Sequence, residues 1–532
     1  MSATPERLAA QVAPTELPRD YNAAVDFVDG NLERGLADKT AVIDEQGSHT
    51  YATLAERCNR AGNALRGLDL RQEDRVAMLM PDNVLFPAVF WGAIKAGLVP
   101  IPVNTLLTSE SYAHILRDSR ARALVISETL WEQARPALDD QPFLDHVIVD
   151  GTASRHDPRL AEAMAEAPAT LDPAPTTPDD VAFWLYSSGS TGAPKGVRHL
   201  HRHLRATSDL YAARVLGIRE DDVVFSAAKL FFAYGLGNGM TFPFSVGATA
   251  VYLAGRPTPE AVMEVMRREQ PTIYCGVPTL YAAILADQAN GRESGSSRLR
   301  RCISAGEPLP EEVGKRWEAR FGAPILDGVG STEMLHIYLS NQPGDVRYGT
   351  SGRPVPGYEA RLVDEDDRPV APGEVGELLV KGPSAAEGYW NQRQKSLQTF
   401  QGPWTRTGDK YYMDDQGIYH YCGRTDDMIK VSGNWVSPFE VESALMEHEA
   451  VYEAAVIAHR DGSELVKPKA YVVLHPGAAG GPERVDELQA FVKQKVGVWK
   501  YPRWIEFLDE LPKTATGKIQ RFRLRQLDRE QE

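Results

Sequence analysis

Cysteine is scarce in this sequence and forms no recognisable pattern. The 532 residues include four cysteines, Cys58, Cys275, Cys302 and Cys422, with no CxxC pair and no neighbouring histidine at the spacing of a zinc site. Disulfide frameworks and zinc sites need cysteines in even sets at short, regular spacings. We therefore expect buried, reduced thiols in a cytoplasmic protein.

Long apolar runs and an excess of positive charge are also missing. The most apolar stretch, residues 84–103, is broken by Pro87, Lys95 and Pro100, and the first residues lack the basic and apolar regions of a secretory signal. A membrane-spanning helix needs about 20 consecutive apolar residues, so we expect neither membrane spanning nor export. With 73 acidic and 58 basic residues the net charge is −15, which argues against a nucleic-acid-binding role.

The apolar residues that are present alternate between strand and helix patterns. Residues 75–80 and 123–127 read as strands, and residues 84–97 read as a helix. Such alternation predicts an α/β fold with mostly parallel, helix-covered sheets. Residues 160–180, rich in alanine, proline and acidic side chains, read as a surface excursion that joins two halves.

The pattern changes in the last third of the chain. After about residue 361, short alternating strands separated by glycine turns predict a small β-rich unit. Beyond it, helices near residues 440–447 and 485–496 with strands between them predict a separate small α+β domain.

A glycine- and hydroxyl-rich loop follows an apolar strand pattern in the first half. Residues 186–197 read YSSGSTGAPKGV, where glycines and hydroxyls surround Lys195. Glycine lets successive backbone N–H groups converge on an anion, and the hydroxyls and the lysine add donors and charge. The pattern predicts a phosphate site, although composition alone would also fit a flexible linker. It is not a Walker loop, because Ala193 and Pro194 separate the second glycine from the lysine.

This loop and four later motifs resemble the ordered core motifs of the adenylate-forming superfamily, which includes acyl-CoA synthetases, adenylation domains of peptide synthetases, and luciferases. The later motifs are GVGSTE, TGD, GRTDDMIKVSG and PKTATGK, at residues 328–333, 407–409, 423–433 and 512–518. All of them occur in the family's order across nearly the whole chain, which makes the resemblance far more specific than one motif would be. Within the superfamily, residues 229–249 and 330–341 closely resemble those of benzoate-CoA ligases.

The resemblance implies a large N-terminal domain, residues 1–425, and a small mobile C-terminal domain, residues 426–532, with the active site between them. It also implies a two-step reaction. A carboxylate attacks the α-phosphorus of ATP and expels pyrophosphate, and coenzyme A then displaces AMP from the acyl-adenylate. The small domain would rotate about Asp426 between the steps, although an aspartate in an ordinary turn needs no such role.

The resemblance also assigns roles to single residues. Thr332 would meet the α-phosphate, Glu333 would help to hold Mg²⁺, and Lys518 would cancel charge as the carboxylate approaches phosphorus. The expected catalytic and ATP-binding residues are Lys518, Thr332, Glu333, Ser187, Ser188, Gly189, Ser190, Thr191, Gly192, Lys195, Asp409 and Arg424. Because acetylation would remove the charge of Lys518, a regulatory lysine acetyltransferase is an expected partner.

Simpler interpretations exist for several residues. A lone glutamate usually lies on a solvated face, and PKTATGK alone would read as a basic tail; the surrounding motifs favour function for both. Lys430 and Gly433 fall where the coenzyme A route is expected, but this segment would equally close a strand. His199, His201 and His203 crowd together like metal ligands, yet without a fourth ligand a surface or helix-start role is favoured.

An acyl pocket is expected between aromatic and small side chains. By resemblance, its lining comprises Phe232, Ala233, Tyr234, Ala305, Gly306, Gly328, Gly330, His336 and Ile337. Small residues opposite aromatic ones would leave a flat space, here called the aryl slot, that suits a planar ring. The aromatic pair would otherwise be ordinary core. Whether Tyr234 or His336 meets a ring substituent is left open by the sequence.

These expectations converge on an AMP-forming ligase that joins benzoate to coenzyme A with ATP and Mg²⁺, with hydroxybenzoates as the nearest alternative substrates. An adenylating protein that loads a carrier is a second possibility, which is disfavoured because no carrier domain follows Lys518. A nucleotide-binding regulator without turnover is disfavoured because Glu333, Asp409 and Lys518 are all present.

Overall fold

The computed structural model describes residues 13–151, 159–187, 193–425, 427–431, 434–460, 466–497, 500–513 and 519–531. The chain divides into two compact units. The first comprises Met1–Tyr348, Gly352–Glu359 and Val380–Thr405, and the second comprises Gly349–Ser351, Ala360–Leu379 and Arg406–Glu532. The boundary between residues 425 and 426 that the motifs imply stays a prediction.

The largest sheet of the first unit has nine strands. Its parallel strands, in spatial order, are Ile325–Gly330, Arg301–Ser304, Ile273–Gly276, Val223–Ser226, Thr249–Val251 and Thr40–Asp44. Antiparallel strands extend both edges, namely Ile337–Ser340 with Arg353–Pro354 on one side and Gly47–Thr50 on the other. Most residues of the parallel strands are buried, as expected where helices cover both faces. Because these strands are parallel, their carboxyl ends meet at one edge of the sheet.

Two smaller sheets lie wholly within this unit. A parallel sheet runs in the order Val99–Pro102, Arg75–Leu79, Ala123–Ser127 and His146–Asp150. An antiparallel sheet runs in the order Gly388–Tyr389, Lys195–Leu200 and Val181–Ser187. The alternation of strands and helices read from residues 75–127 is thus the one observed, and the predicted α/β fold is confirmed.

Helices flank the sheets of the first unit. The α-helices are Gly30–Glu33, Tyr51–Arg66, Leu85–Lys95, Ser109–Ser119, Trp131–Ala134, Leu160–Glu166, His201–Thr207, Ala233–Leu236, Phe242–Val246, Pro259–Glu269, Pro278–Ala286, Glu311–Phe321 and Arg393–Thr399. Wider π-helical turns span Val25–Asp29, Ser208–Leu216 and Gly237–Thr241, and 3₁₀ turns span Glu128–Leu130, Arg135–Ala137 and Thr332–Met334.

The segment predicted to be a surface excursion has many exposed residues and is anchored to the core at three points. Residues 160–180 begin with the helix Leu160–Glu166, and Leu160, Met164 and Leu171 are buried in the main hydrophobic core. The side-chain amide of Asn63 also donates hydrogen bonds to carbonyls of this segment. A composition rich in alanine and proline gave no sign of these three apolar anchors.

The second unit holds most of a five-stranded sheet and a small α+β region. The five strands are Glu359–Val363, Gly376–Lys381, Trp404–Met413 and Phe400–Gln401, with Tyr419–Arg424 also paired to Trp404–Met413. The strands that follow are Ile429–Val431, Asn434–Val436, Val451–Arg460, Val466–Leu474 and Trp504–Phe507, and the helices are Pro438–Met446, Pro482–Val496 and Arg521–Gln531. The predicted change of texture after residue 361 is therefore present.

Two further expectations can be compared with the structure. All four cysteines are buried and free. Within the described ranges, no helix is both long enough and apolar enough to span a membrane.

Candidate active site

The small residues predicted to line the aryl slot gather at the carboxyl edge of the parallel strands. Ala305 and Gly306 directly follow the strand Arg301–Ser304, and Gly328 and Gly330 lie at the end of the neighbouring strand. In open α/β sheets, ligands bind in the crevice outside this edge. The fold therefore brings together residues that are more than twenty positions apart in the chain.

Glycine is required at two of these positions. A Cβ atom on Gly328 would lie 2.6 Å from the carbonyl oxygen of Leu339, and one on Gly330 would lie 2.5 Å from the carbonyl oxygen of His336. Both contacts are too short for a real side chain. The two glycines therefore allow the antiparallel strand that contains Ile337 to approach, and this approach places His336 and Ile337 beside the same edge.

The predicted aromatic side of the aryl slot reaches the same edge of the sheet through Tyr234. Phe232, Ala233 and Tyr234 are half-buried. The Tyr234 hydroxyl lies 3.0 Å from the carbonyl oxygens of both Gly276 and Ile303. Its single proton is therefore shared between these two carbonyl oxygens. Burial raises the pKa of Tyr234.

His336 is the uncommitted polar side chain of the set. It is 3% exposed, and its ring packs against Tyr211, Tyr234 and Phe242 with centroid distances of 5.0, 5.9 and 4.5 Å. Neither ring nitrogen makes a well-formed hydrogen bond to another residue that the structure describes. Burial lowers the pKa of His336 to about 3, against a smaller contribution from the backbone of Tyr234. The ring is therefore neutral at pH 7 and offers one donor and one acceptor.

The phosphate loop connects two antiparallel strands. Ser187 and Lys195 lie directly opposite each other in this hairpin, whereas a Walker loop joins a strand to a helix. Lys195 is nearly buried, and its ammonium nitrogen lies 4.2 Å from the centre of the Tyr389 ring. The other predicted members of the loop lie outside the described residues; they are Ser188, Gly189, Ser190, Thr191 and Gly192.

Glu333 lies beside the start of this loop. It belongs to the single 3₁₀ turn Thr332–Met334, which the Ser331 side chain caps by accepting the Met334 N–H at 3.3 Å. The Glu333 carboxylate accepts hydrogen bonds from the hydroxyls of Tyr389 at 2.8 Å and Ser187 at 3.5 Å. The structure thus brings together three predicted residues, Ser187, Thr332 and Glu333, from distant parts of the chain.

Tyr389 and Asp327 were missed by the sequence-based prediction. Tyr389 contacts both Lys195 and Glu333, and its only signal was an aromatic residue in GYW at 388–390. Asp327 is buried directly before Gly328, and its Oδ1 makes no hydrogen bond within the described part of the chain. Burial raises the pKa of Asp327 to about 8. An acid inside the apolar run ILDGV was the available signal.

Two of the predicted ATP-binding residues belong to the second unit. Asp409 and Arg424 are register partners on neighbouring strands. The Arg424 guanidinium donates to Asp409 Oδ1 at 3.0 Å and to the Thr407 carbonyl at 3.2 Å. The Asp409 N–H donates to the Thr407 hydroxyl oxygen at 3.1 Å, and that hydroxyl donates to the Leu378 carbonyl at 2.9 Å. The TGD and GR motifs are therefore one bonded unit that fixes a carboxylate.

Asp426, Gly433 and Lys518 lie outside the described residues, and so does the side chain of Lys430.

The three crowded histidines are buried. A surface role for His199, His201 and His203 was wrong, while the helix His201–Thr207 does begin among them. In the part of the chain that the structure describes, no group of three or more histidine, cysteine or acidic side chains is arranged to hold a metal ion.

Comparison with known proteins decides the family. The family model described as AMP-binding enzyme matches residues 31–390, and the model of the AMP-binding enzyme C-terminal domain matches residues 440–518. The chain belongs to the AMP-binding enzyme family. The predicted superfamily is thereby confirmed.

Individual members of the AMP-binding enzyme family are similar over nearly the whole chain. A benzoate–CoA ligase of Thauera aromatica is 57% identical over 96% of this chain and 97% of its own length. A 4-hydroxybenzoate–CoA/benzoate–CoA ligase of Rhodopseudomonas palustris is 52% identical over 96% and 94%. The crystal structure of a benzoate CoA ligase from Burkholderia xenovorans LB400 has a TM-score of 0.89 and 50% identity, and the match covers 95% of this chain and 100% of that chain.

Proposed function

We propose that this AMP-binding enzyme is a benzoate-CoA ligase that forms benzoyl-adenylate from benzoate and ATP and then transfers the benzoyl group to coenzyme A. The observation that carries the proposal is the 57% identity, over nearly the full length of both chains, to a protein named for this reaction. The geometry agrees with it, because the predicted glycines and Tyr234 lie at the same carboxyl edge of the parallel strands, where ligands bind in open α/β sheets.

In the first step, a carboxylate oxygen of benzoate bonds to the α-phosphorus of ATP. The bond from that phosphorus to the bridging oxygen breaks, and pyrophosphate leaves with the electron pair. Two anions must approach each other for this to happen. Preorganised positive charge and hydrogen-bond donors at the phosphates are therefore the main source of rate enhancement.

The described residues at the phosphates suit this task. Lys195 supplies positive charge next to the hydroxyl of Ser187, and Thr332 presents a hydroxyl from the capped turn. Asp409, fixed by Arg424, is suited to accept the ribose hydroxyls. We assign Lys518, from the PKTATGK motif, to the charge between benzoate and the α-phosphate.

Glu333 fits a magnesium site. Mg²⁺ in such enzymes takes one or two carboxylates, with phosphate and water oxygens as the remaining ligands. The carboxylate of Glu333, held by two hydroxyls, supplies such an oxygen without a larger protein cage. The bound ion would neutralise charge on the phosphates. Tyr389 and Ser187 keep the Glu333 carboxylate in place for it.

In the second step, the coenzyme A sulfur bonds to the benzoyl carbon and the bond to the AMP oxygen breaks. We propose that the small domain turns about Asp426 between the steps, and that Lys430 and Gly433 lie on the coenzyme A route. Acetylation of Lys518 by a lysine acetyltransferase would remove its charge and would arrest the first step.

Hydroxybenzoates are the second candidate substrates, and His336 favours them. Its ring nitrogens make no well-formed hydrogen bond within the described residues, whereas the Tyr234 hydroxyl already donates to backbone carbonyls. A ring hydroxyl that reached His336 would therefore gain a partner. The relative from Rhodopseudomonas palustris carries 4-hydroxybenzoate in its name.

A panel of carboxylates tests the proposal. Relative to acetate, benzoate buries roughly 100 Å² more apolar surface, worth about 2–3 kcal/mol, or about two orders of magnitude in kcat/KM. The measurement compares benzoate, the monohydroxybenzoates, acetate, hexanoate and palmitate, with ATP, Mg²⁺ and coenzyme A. Benzoate or a hydroxybenzoate should lead. Higher kcat/KM for hexanoate or palmitate than for every aromatic acid would overturn the aryl slot.

A further inference from the structure

His199 makes a direct contact with the motif that is proposed to act on ATP. It lies in the strand Lys195–Leu200 and is completely buried. Its Nε2 atom lies 2.8 Å from the backbone carbonyl oxygen of Thr332, which is 133 positions away in the chain. Because a carbonyl oxygen can only accept, Nε2 carries the proton and donates it.

The His199 ring is fixed on its other sides. On one side it meets the His203 ring edge-on, with 5.5 Å between the centroids and an interplanar angle of 81°. One face of the ring stacks on Phe183, with 5.3 Å between the centroids and an interplanar angle of 22°. Burial lowers the pKa of His199 to about 4, so the neutral ring keeps its proton for Thr332 at pH 7.

The turn that receives this hydrogen bond is strained. Leu335, at its end, has φ of 65° and ψ of −36°, a conformation that is costly for any residue with a side chain. The Thr332 carbonyl accepts the Leu335 N–H at 3.1 Å as well as the His199 proton. Such conformations persist where several contacts hold them in place. His199 supplies one that comes from outside the turn.

We propose that His199 is a positioning residue for adenylation. By bonding to the Thr332 carbonyl, it holds the turn that aims the Thr332 hydroxyl and the Glu333 carboxylate at the ATP phosphates and their Mg²⁺. The inference rests on the proposed roles of Thr332 and Glu333.

Two substitutions separate the hydrogen bond from the packing. His199→Phe keeps a ring on Phe183 but loses the donor, whereas His199→Gln keeps an amide N–H near the Nε2 position. His199→Asn, whose amide is too short to reach Thr332, controls for polarity in the same site. His201→Phe is the matched control, because His201 is buried in the same segment and its Nδ1 accepts the Ala23 N–H at 3.0 Å, in a different part of the chain from the turn.

The assay is ATP–pyrophosphate exchange, with thermal unfolding measured on every variant. His199→Phe and His199→Asn should lose about 30-fold or more in kcat, as expected when a preorganised group is misplaced, and should need more Mg²⁺ for half-maximal rate. His199→Gln should recover to within about 3-fold of the wild type, and His201→Phe should stay within about 3-fold at a comparable loss of stability. Thioester formation from supplied acyl-adenylate should change little in all four.

Three results would overturn the proposal. They are full exchange activity in His199→Phe, an equal loss in His201→Phe, and a His199→Gln enzyme no better than His199→Asn. The exchange is run with whichever acid of the panel the wild type prefers. Failure of benzoate as a substrate would therefore refute the proposed function and leave the test of His199 intact.

Discussion

Gly237→Ala tests whether His336 borders the aryl slot. A Cβ atom at Gly237 would lie 2.4 Å from Cδ2 and 2.8 Å from Nε2 of the His336 ring. Ordinary contacts begin near 3.4 Å, so the ring must move by roughly 1 Å. We expect the ring to yield, because its nitrogens make no well-formed hydrogen bond within the described residues.

The direction of that movement sets the expected effect. Tyr211 and Phe242 pack against the His336 ring, so we expect the ring to be displaced toward the aryl slot. A misplacement of about 1 Å costs up to about 10²-fold in rate, so kcat/KM for benzoate should fall by about 10- to 100-fold. The KM for ATP should stay within about 2-fold. Overpacking should cost about 1–3 kcal/mol of stability, partly offset because alanine is about 1 kcal/mol better than glycine in a helix.

A control variant, Gly255→Ala, and a second background, His336→Ala, test whether the effect acts through the His336 ring. Gly255→Ala adds the same methyl group where nothing lies within 4 Å, and it should leave all constants unchanged. In a His336→Ala background the clash with the ring is gone and only the milder 3.0 Å contact with Phe242 Cζ remains, so Gly237→Ala should cost less than about 3-fold there. An equal loss in both backgrounds, or a matching rise in the KM for ATP, would refute the placement of His336 at the slot.

Three further predictions concern Asp327, Lys518 and Asp426. The pKa of Asp327 is raised from 3.8 to about 8, so between these values the folded state holds a proton that the unfolded state has released. The stability of the fold should therefore decrease as pH rises from about 4 to about 8. Asp327→Asn should flatten this dependence of the unfolding temperature on pH, and an unchanged slope would contradict the prediction. Lys518→Ala should lower acyl-adenylate formation by about 10²-fold or more, with far less effect on thioester formation from supplied acyl-adenylate; equal losses would assign Lys518 to the fold. Asp426→Pro should fix φ near −65°, preserve adenylation and slow thioester formation, and an unimpaired second step would rule out Asp426 as the pivot.

The sequence predicted the fold class and the family because both depend on local patterns. Alternating strand and helix periodicity over residues 75–127 required a parallel sheet, and the spacing of five motifs identified the superfamily. The glycines at 328 and 330 were expected in the pocket. Their close approach to the strand Ile337–Ser340 was not predicted, because strand pairing is set by the tertiary structure.

The residues that were missed depend on contacts between distant segments. RHLHRH looks polar, yet His199 is buried because the Thr332 carbonyl offers it a hydrogen bond from 133 positions away. Tyr389 lies in a short strand that pairs with the strand Lys195–Leu200, and this pairing brings the Tyr389 hydroxyl to Glu333. Neither contact leaves a periodic or compositional signal.

Product analysis of a single reaction tests the central claim most directly. The enzyme is mixed with benzoate, ATP and Mg²⁺, first without and then with coenzyme A, and the nucleotides and acyl species are quantified. We predict enzyme-bound benzoyl-adenylate and pyrophosphate in the first stage, and AMP with benzoyl-CoA in equal amounts in the second. Formation of ADP and phosphate in proportion to benzoyl-CoA would contradict the adenylating chemistry proposed here.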